Sequence, residues 1–225
     1  MVVRLLHDPQ DLSIVCKLKS AIAIKYAKDE LSSDKKPIPV KQIKSQPPLL
    51  QEILASAAQG HLPIIVVPGA SSKARVNILN VEKFFNGSFE EVNPKTMQRP
   101  ATMPLIIEKV INGQPIKFRV FDDTSRFRKF EWKATVAVIA EGKKWQLQGW
   151  PFNSESDLFY SIRGFYLKYL DEPLEQALSQ WNLVTLNLKR DSRHQDRGIV
   201  GEFWRTLESF LMQPRHRKFS NDKKL

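Results

Sequence analysis

The 225-residue chain contains a single cysteine, Cys16. That excludes an internal disulfide and any zinc site needing two thiolates, and it suits a reducing compartment such as the cytosol or nucleus. No apolar run approaches the roughly 20 residues a membrane-spanning helix requires. The apolar stretches Pro63 to Pro68 and Thr135 to Ala140 are strand-sized. Arg4, His7 and Asp8 interrupt the start of the chain before any apolar signal region, so neither a signal peptide nor a membrane partner is expected. Histidine is also sparse. His7, His61, His194 and His216 have neither metal-ligand spacing nor a neighbouring nucleophile. Hydrolase and transferase chemistry is disfavoured, and no catalytic residue, cofactor, metal or small-molecule substrate is expected.

What is present begins with Pro63 to Val76, PIIVVPGASSKARV, a buried-strand pattern running into a glycine turn. A phosphate loop, G-x-x-x-x-G-K-[ST], needs glycines so that N–H groups can close round phosphates, a lysine for the terminal phosphates and a hydroxyl for magnesium. Counted from Gly69, those three positions hold Ala74, Arg75 and Val76. A valine has no oxygen for a hard cation, and an alanine lacks the freedom of glycine. The turn therefore gives no reason to expect nucleotide hydrolysis. Asp122 and Asp123 end a strand where a metal carboxylate could sit, but Ser125 stands where an Asp-x-x-Gly element needs glycine. Asn187 to Asp191, NLKRD, has the wrong order for a guanine-reading Asn-Lys-x-Asp element.

A hydrophobic content of 42% is enough for a sizeable core. Asp11 to Leu31 reads as a helix, and Ser32 to Pro48, dense in lysine and proline, reads as a linker. Leu49 to Ala58 reads as a short helix stopped by Gly60. The chain thus divides into an N-terminal arm and linker at 1–61, a globular domain at 62–214 and a basic tail at 215–225. Within the domain, the strand at Pro63 is followed by a helix over Asn77 to Phe85. Leu105 to Ile111 and Ile116 to Phe121 form a hairpin around Asn112 and Gly113, and Thr135 to Ala140 reads as a strand covered on both faces. Helices over Ser154 to Arg163, Pro173 to Trp181 and Arg197 to Met212 alternate with strands over Phe165 to Leu170 and Val184 to Leu188. In the last helix Val200, Phe203, Leu207 and Phe210 form an inward stripe. This order predicts a three-layer α/β fold, a mostly parallel sheet with one antiparallel edge, as in the Ras-like GTPases.

Lys+Arg number 35 against 24 Asp+Glu, a formal net charge of +11, which favours acidic partners. In an open α/β sheet the loops at the C-terminal ends of the strands share one edge. That brings Lys143, Lys144, Arg190 and Arg193 together as a candidate anion or phosphopeptide rim, with Arg126, Arg128, Lys129 and Arg197 as secondary candidates. Of the five tryptophans, only Trp145, beside Lys143 and Lys144, has the setting a base-stacking residue needs.

These residues also carry a resemblance. Pro63 to Ala70, Trp132, Val136 to Val138, Gly142, Trp145, Gln146, Trp150 and Pro151, then Phe165 to Tyr169 and Gln180 to Asn182, fall in the order of one known domain. Arg193, His194, Asp196, Arg197, Phe203, Trp204, Leu207 and Glu208 continue it. The stretch resembles the C-terminal domain of parafibromin-type proteins, subunits of the Paf complex that travels with RNA polymerase II. The resemblance implies a nuclear, non-enzymatic protein with a Ras-like fold lacking nucleotide binding. The partners it implies are other Paf subunits, the phosphorylated polymerase tail with its elongation factors, and chromatin. Trp132 is followed by Lys133 and Ala134, where the family tends to have an acidic then a basic residue. The residue chemistry alone leaves two other readings open, a divergent small GTPase and a direct nucleic-acid binder.

Overall fold

The computed structural model describes residues 48–174, 176–214 and 219. The helix expected over Asp11 to Leu31 and nearly all of the linker lie outside the described residues. The elements in chain order are α1 (Leu49–Ala58), β1 (Ile64–Val66), α2 (Val81–Phe85), β2 (Leu105–Ile111), β3 (Gln114–Phe121), α3 (Lys129–Ala134) and β4 (Thr135–Ile139). A 3-10 turn at Lys144–Leu147, α4 (Glu155–Ser161), β5 (Arg163–Tyr169), α5 (Gln176–Ser179), β6 (Leu183–Leu188), a 3-10 turn at Arg193–Gln195 and α6 (Asp196–Leu211) follow.

One six-stranded sheet runs β2-β3-β1-β4-β5-β6. All pairs are parallel except the β2–β3 hairpin. The hairpin turns on Asn112 and Gly113, with φ of 48° and 75°. Two consecutive positive φ angles are what a tight two-residue turn demands, and Asn-Gly adopts them at least cost. The central strands β1 and β4 are buried at every position, because helices cover both faces. Their side chains alternate. Ile65 and Val67 face α1, α2 and α6, while Ile64 and Val66 face α3, α4 and α5. The result is the three-layer α/β sandwich expected from the element order.

Gly164 is required by close approach. A Cβ there would lie 2.4 Å from Leu183 Cδ2 and 2.5 Å from Phe159 Cδ1, so β5 can sit this tightly between β6 and α4 only without a side chain.

Three expectations are corrected. The domain does not begin at residue 62. Leu49, Leu50 and Ile53 of α1 are buried in the same core as α6, and the Leu49 N–H donates to the Gln213 carbonyl at 3.1 Å. The apolar face of α1 has its partner in α6, so the helix belongs to the domain. The helix expected over Asn77 to Phe85 forms only over Val81–Phe85. Asn80 Oδ1 accepts the Asn77 N–H at 2.9 Å, and Asn77 Oδ1 accepts the Leu79 N–H at 2.9 Å, so side-chain turns replace the first helical turn. Finally, Phe219 of the expected tail packs on Phe152, ring centroids 5.3 Å apart, because an aromatic ring finds apolar cover there.

The turn after β1 and the basic edge

The turn after β1 lies where a nucleotide-binding domain of this topology would hold phosphates. Its donors face inward. The Ser72 N–H donates to the Gly69 carbonyl at 3.0 Å, the Ala74 N–H to Ser72 Oγ at 3.0 Å and the Ile78 N–H to the Pro68 carbonyl at 3.0 Å. Asn77 Nδ2 holds the Ser72 carbonyl at 3.1 Å, and Asn80 Nδ2 holds the Arg75 carbonyl at 2.9 Å. Val76, at the position of the magnesium hydroxyl, is a fully buried core residue. A Cβ on Gly69 would meet nothing nearer than the Asp122 carbonyl at 4.0 Å, so the turn does not depend on glycine there.

Arg75, at the position of the phosphate lysine, points into a cluster of its own. It pairs with Glu172, and its guanidinium carbon lies 4.6 Å from the centroid of the Tyr169 ring. Arg190 stacks on the same ring at 3.8 Å, donates to Asp171 Oδ2 at 3.0 Å and reaches Glu172 Oε1 at 3.2 Å. The Tyr169 hydroxyl binds Glu91, and Lys168 Nζ donates to the Glu172 carbonyl at 2.6 Å. Cation–π stacking and charge-assisted bonds thereby tie the β1 turn, the loop after α2, the end of β5 and the end of β6 together. The hydrogen bond from Arg190 is the main cause holding the Asp171 carboxyl below its usual pKa, and the same bond raises that of Arg190.

Beside the turn, a cavity of about 190 Å³ is lined by Gly69, Asp122, Asp123, Glu141, Trp145 and Gln146, among others. Three carboxylates thus border the place where an anion would sit. Arg99 pairs with Asp122 at 2.6 Å. Asp123 accepts from the Ser125 N–H at 2.8 Å and from Ser125 Oγ at 2.9 Å, and these bonds are the largest cause of its lowered pKa. Asp122 and Asp123 are therefore both engaged in local bonds.

The candidate rim lies on this edge. Gln146 fixes the segment after β4: its Oε1 accepts the Glu141 N–H at 2.7 Å and its Nε2 donates to the Ile139 carbonyl at 3.0 Å. That clamp leaves Lys143 and Lys144 exposed and Trp145 63% exposed. Lys144 Nζ lies 3.9 Å from Glu155 Oε1. Arg190 follows β6 and Arg193 opens the next 3-10 turn, so β5 stands between the two halves of the rim. Arg126 and Arg128 lie on the path from the crevice to α3. Lys129 begins α3, whose Phe130 reaches His61 at the other end of β1, ring centroids 4.9 Å apart. The Arg128 N–H caps that helix on Glu131 Oε2 at 2.6 Å. Arg197 is exposed in the first turn of α6, against Gly87.

Sequence reasoning missed the Arg75–Tyr169–Arg190 stack. Charge was visible at each position, but the ring joining them is a strand residue buried far from either arginine in the chain.

Residues 59–210 match the family model described as "RNA pol II accessory factor, Cdc73 family, C-terminal". The chain belongs to the Cdc73 family. It is 31% identical over 158 residues to cell division control protein 73 of Saccharomyces cerevisiae, covering 69% of this chain and 40% of that protein. A CDC73 homolog of Arabidopsis thaliana is 30% identical over 164 residues, covering 69% of this chain and 39% of the relative. The chain therefore spans about two fifths of the length of these relatives. Among solved structures, the conserved domain of yeast Cdc73 aligns with a TM-score of 0.59 and 28% identity, covering 66% of this chain and 96% of that domain. The matched family is one of transcription accessory factors, and none of these matches is to an enzyme family.

Proposed function

We propose that this Cdc73-family chain is a non-enzymatic docking subunit of a Paf-type transcription elongation complex in the nucleus. In this reading its Ras-like domain helps join other Paf subunits to RNA polymerase II, through the polymerase's phosphorylated tail and associated elongation factors, and to chromatin. The observation that carries the reading is the fate of the phosphate-loop positions. Ala74 closes a local turn, Arg75 joins the Tyr169 stack and Val76 joins the core, while Asp122, Asp123 and Glu141 border the crevice. A fold whose nucleotide apparatus has been absorbed into structure serves as a scaffold for surfaces. The exposed surface beside the crevice offers Lys143, Lys144 and Trp145 to an acidic segment. Steering by the net charge of +11 would assist capture of such partners.

The test is affinity capture from nuclear extract with the full tagged chain, probed for RNA polymerase II and the Paf subunits. Recovery that falls after phosphatase treatment supports the reading. Absence of both polymerase and Paf subunits contradicts it.

A further inference from the structure

The sheet ends in β2, which pairs with β3 and has no further strand outside it among the described residues. Its register places Ile111 opposite Gln114 across the Asn112 and Gly113 turn. A two-residue turn closes on a hydrogen-bonded pair, so Ile111, Lys109, Ile107 and Leu105 exchange bonds with β3. The N–H and C=O groups of Ile106, Glu108 and Val110 therefore point outward. Pro115 agrees with that phase: it has no N–H to give, and it falls opposite Val110, where none is exchanged. Edge strands are ordinarily blunted by proline, a bulge, brevity or a lysine. β2 runs from Leu105 to Ile111 with no proline and no register shift. Its lysine, Lys109, reaches over α6, with Nζ 5.6 Å from the centroid of the Trp204 ring. On the other face of the strand Ile106 and Val110 are 47% and 68% exposed, with Glu108 exposed between them.

We propose that β2 takes up an extended segment of a partner protein as an antiparallel strand added to the six-stranded sheet. The outward N–H and C=O groups of Ile106, Glu108 and Val110 supply the affinity, and the side chains beside them select the sequence. In the added strand apolar residues stand opposite Ile106 and Val110, and a lysine or arginine stands opposite Glu108. The partner is thus an unphosphorylated segment with apolar, basic and apolar residues at every second position. Lys117 Nζ lies 4.0 Å from Glu108 Oε2, but both side chains are well exposed, and a surface pair at that distance is weak. A second copy of this chain is the poorer occupant. Two-fold pairing that sets Ile106 against Val110 across the copies also sets the two copies of Glu108 against each other, and like charges directly opposite resist association. The surface is separate from Lys143 and Lys144, since β3 and β1 stand between β2 and β4. Either can fail alone.

The experiment is an NMR titration of the full chain with the synthetic peptide TTVTKTVTT, using TTVTETVTT as the control. Saturable shifts centred on β2 are expected. Amide exchange at Ile106, Glu108 and Val110 should slow about tenfold or more, because those N–H groups pass from water to a carbonyl. Exchange at Ile107, Lys109 and Ile111, already bonded to β3, should change far less. The control should bind about threefold or more weakly, and in E108K the order of the two peptides should reverse. V110P removes an outward N–H and leaves the β3 ladder intact, so it should keep the parent's melting temperature and lose binding. Binding should be unchanged in K143E/K144E. Absence of saturable shifts, unchanged exchange at Ile106, Glu108 and Val110, or equal affinity in V110P would overturn the assignment. Dimerisation of the free chain through β2, seen as β2 shifts on dilution that track sedimentation, would give the edge to a second copy and overturn it equally.

Discussion

The Leu49 N–H donates to the carbonyl of Gln213 at 3.1 Å, joining the first described helix to a residue two positions past the last one. Pro48 and Pro214 form an isolated bridge immediately outside this bond. The two ends of the domain therefore close on each other, and α1 fills the core between them. Removing residues 1–61 should produce a protein that melts early or fails to fold, whereas removing residues 1–44 should not. Leu49→Ala alone should cost about 2 to 5 kcal/mol, as burial of a leucine in a closed core predicts. Urea denaturation of the three variants distinguishes these cases, and an unchanged midpoint after loss of residues 1–61 would exclude α1 from the core.

Phe203 is fully buried, and its ring meets those of Phe84, Phe85, Phe165 and Trp204 at centroid distances of 4.2 to 6.4 Å. Phe203→Ala should remove about 3 to 5 kcal/mol, a large part of the 5 to 15 typical of a domain. The melting temperature should fall by many degrees; a melting temperature equal to the parent's would mean that α6 is peripheral.

Gly164→Ala tests a different kind of packing. The added methyl would overlap Phe159 and Leu183, so β5 must shift away from α4 or β6. Loss of about 1 to 3 kcal/mol is expected from overpacking of this kind. Amide exchange should accelerate in β5 and β6 first, and uniform exchange across the sheet would contradict the local origin.

The Asp171–Arg190 pair gives a pH dependence of known sign. The folded-state pKa of Asp171 is depressed, so its contribution to stability is present above the unfolded value near 3.9 and is lost as pH falls through the lower folded value. Arg190 stays charged across that window. Carbon-detected NMR titration of the Asp171 carboxyl should show the low value in the parent and a rise toward the ordinary one in Arg190→Ala. A value unmoved by that substitution would place the cause elsewhere.

The sheet was legible because each strand announces itself locally. Ile64 to Val66 and Val136 to Ile139 are unbroken apolar runs, and Asn112-Gly113 names its own turn. Alternation of strands and helices then leaves few topologies. Less legible were features whose partner is distant in sequence. The apolar face of α1 could be read, but α6 as the surface that covers it could not. Asn77 and Asn80 read as ordinary helix-compatible positions, and it takes their local turns together with their bonds to Ser72, Arg75 and Glu90 to explain why the helix starts late. The candidate rim was legible as charge. Its internal pairing was not, since Arg190 meets Asp171, Glu172 and Tyr169 only through the β5–β6 register.

That pairing also decides which variant tests docking. Reversing Arg190 would break the Tyr169 cluster, whereas Lys143 and Lys144 are exposed on the segment clamped by Gln146. The most direct measurement is fluorescence anisotropy of labelled polymerase-tail peptides, phosphorylated and unphosphorylated, with the full chain and its K143E/K144E variant at physiological salt. A docking role for Lys143 and Lys144 predicts tighter binding of the phosphorylated peptide and about a tenfold loss in the variant, the size expected for charge-assisted contacts. Equal affinity of the parent for both peptides, or of parent and variant for the phosphorylated one, would contradict it.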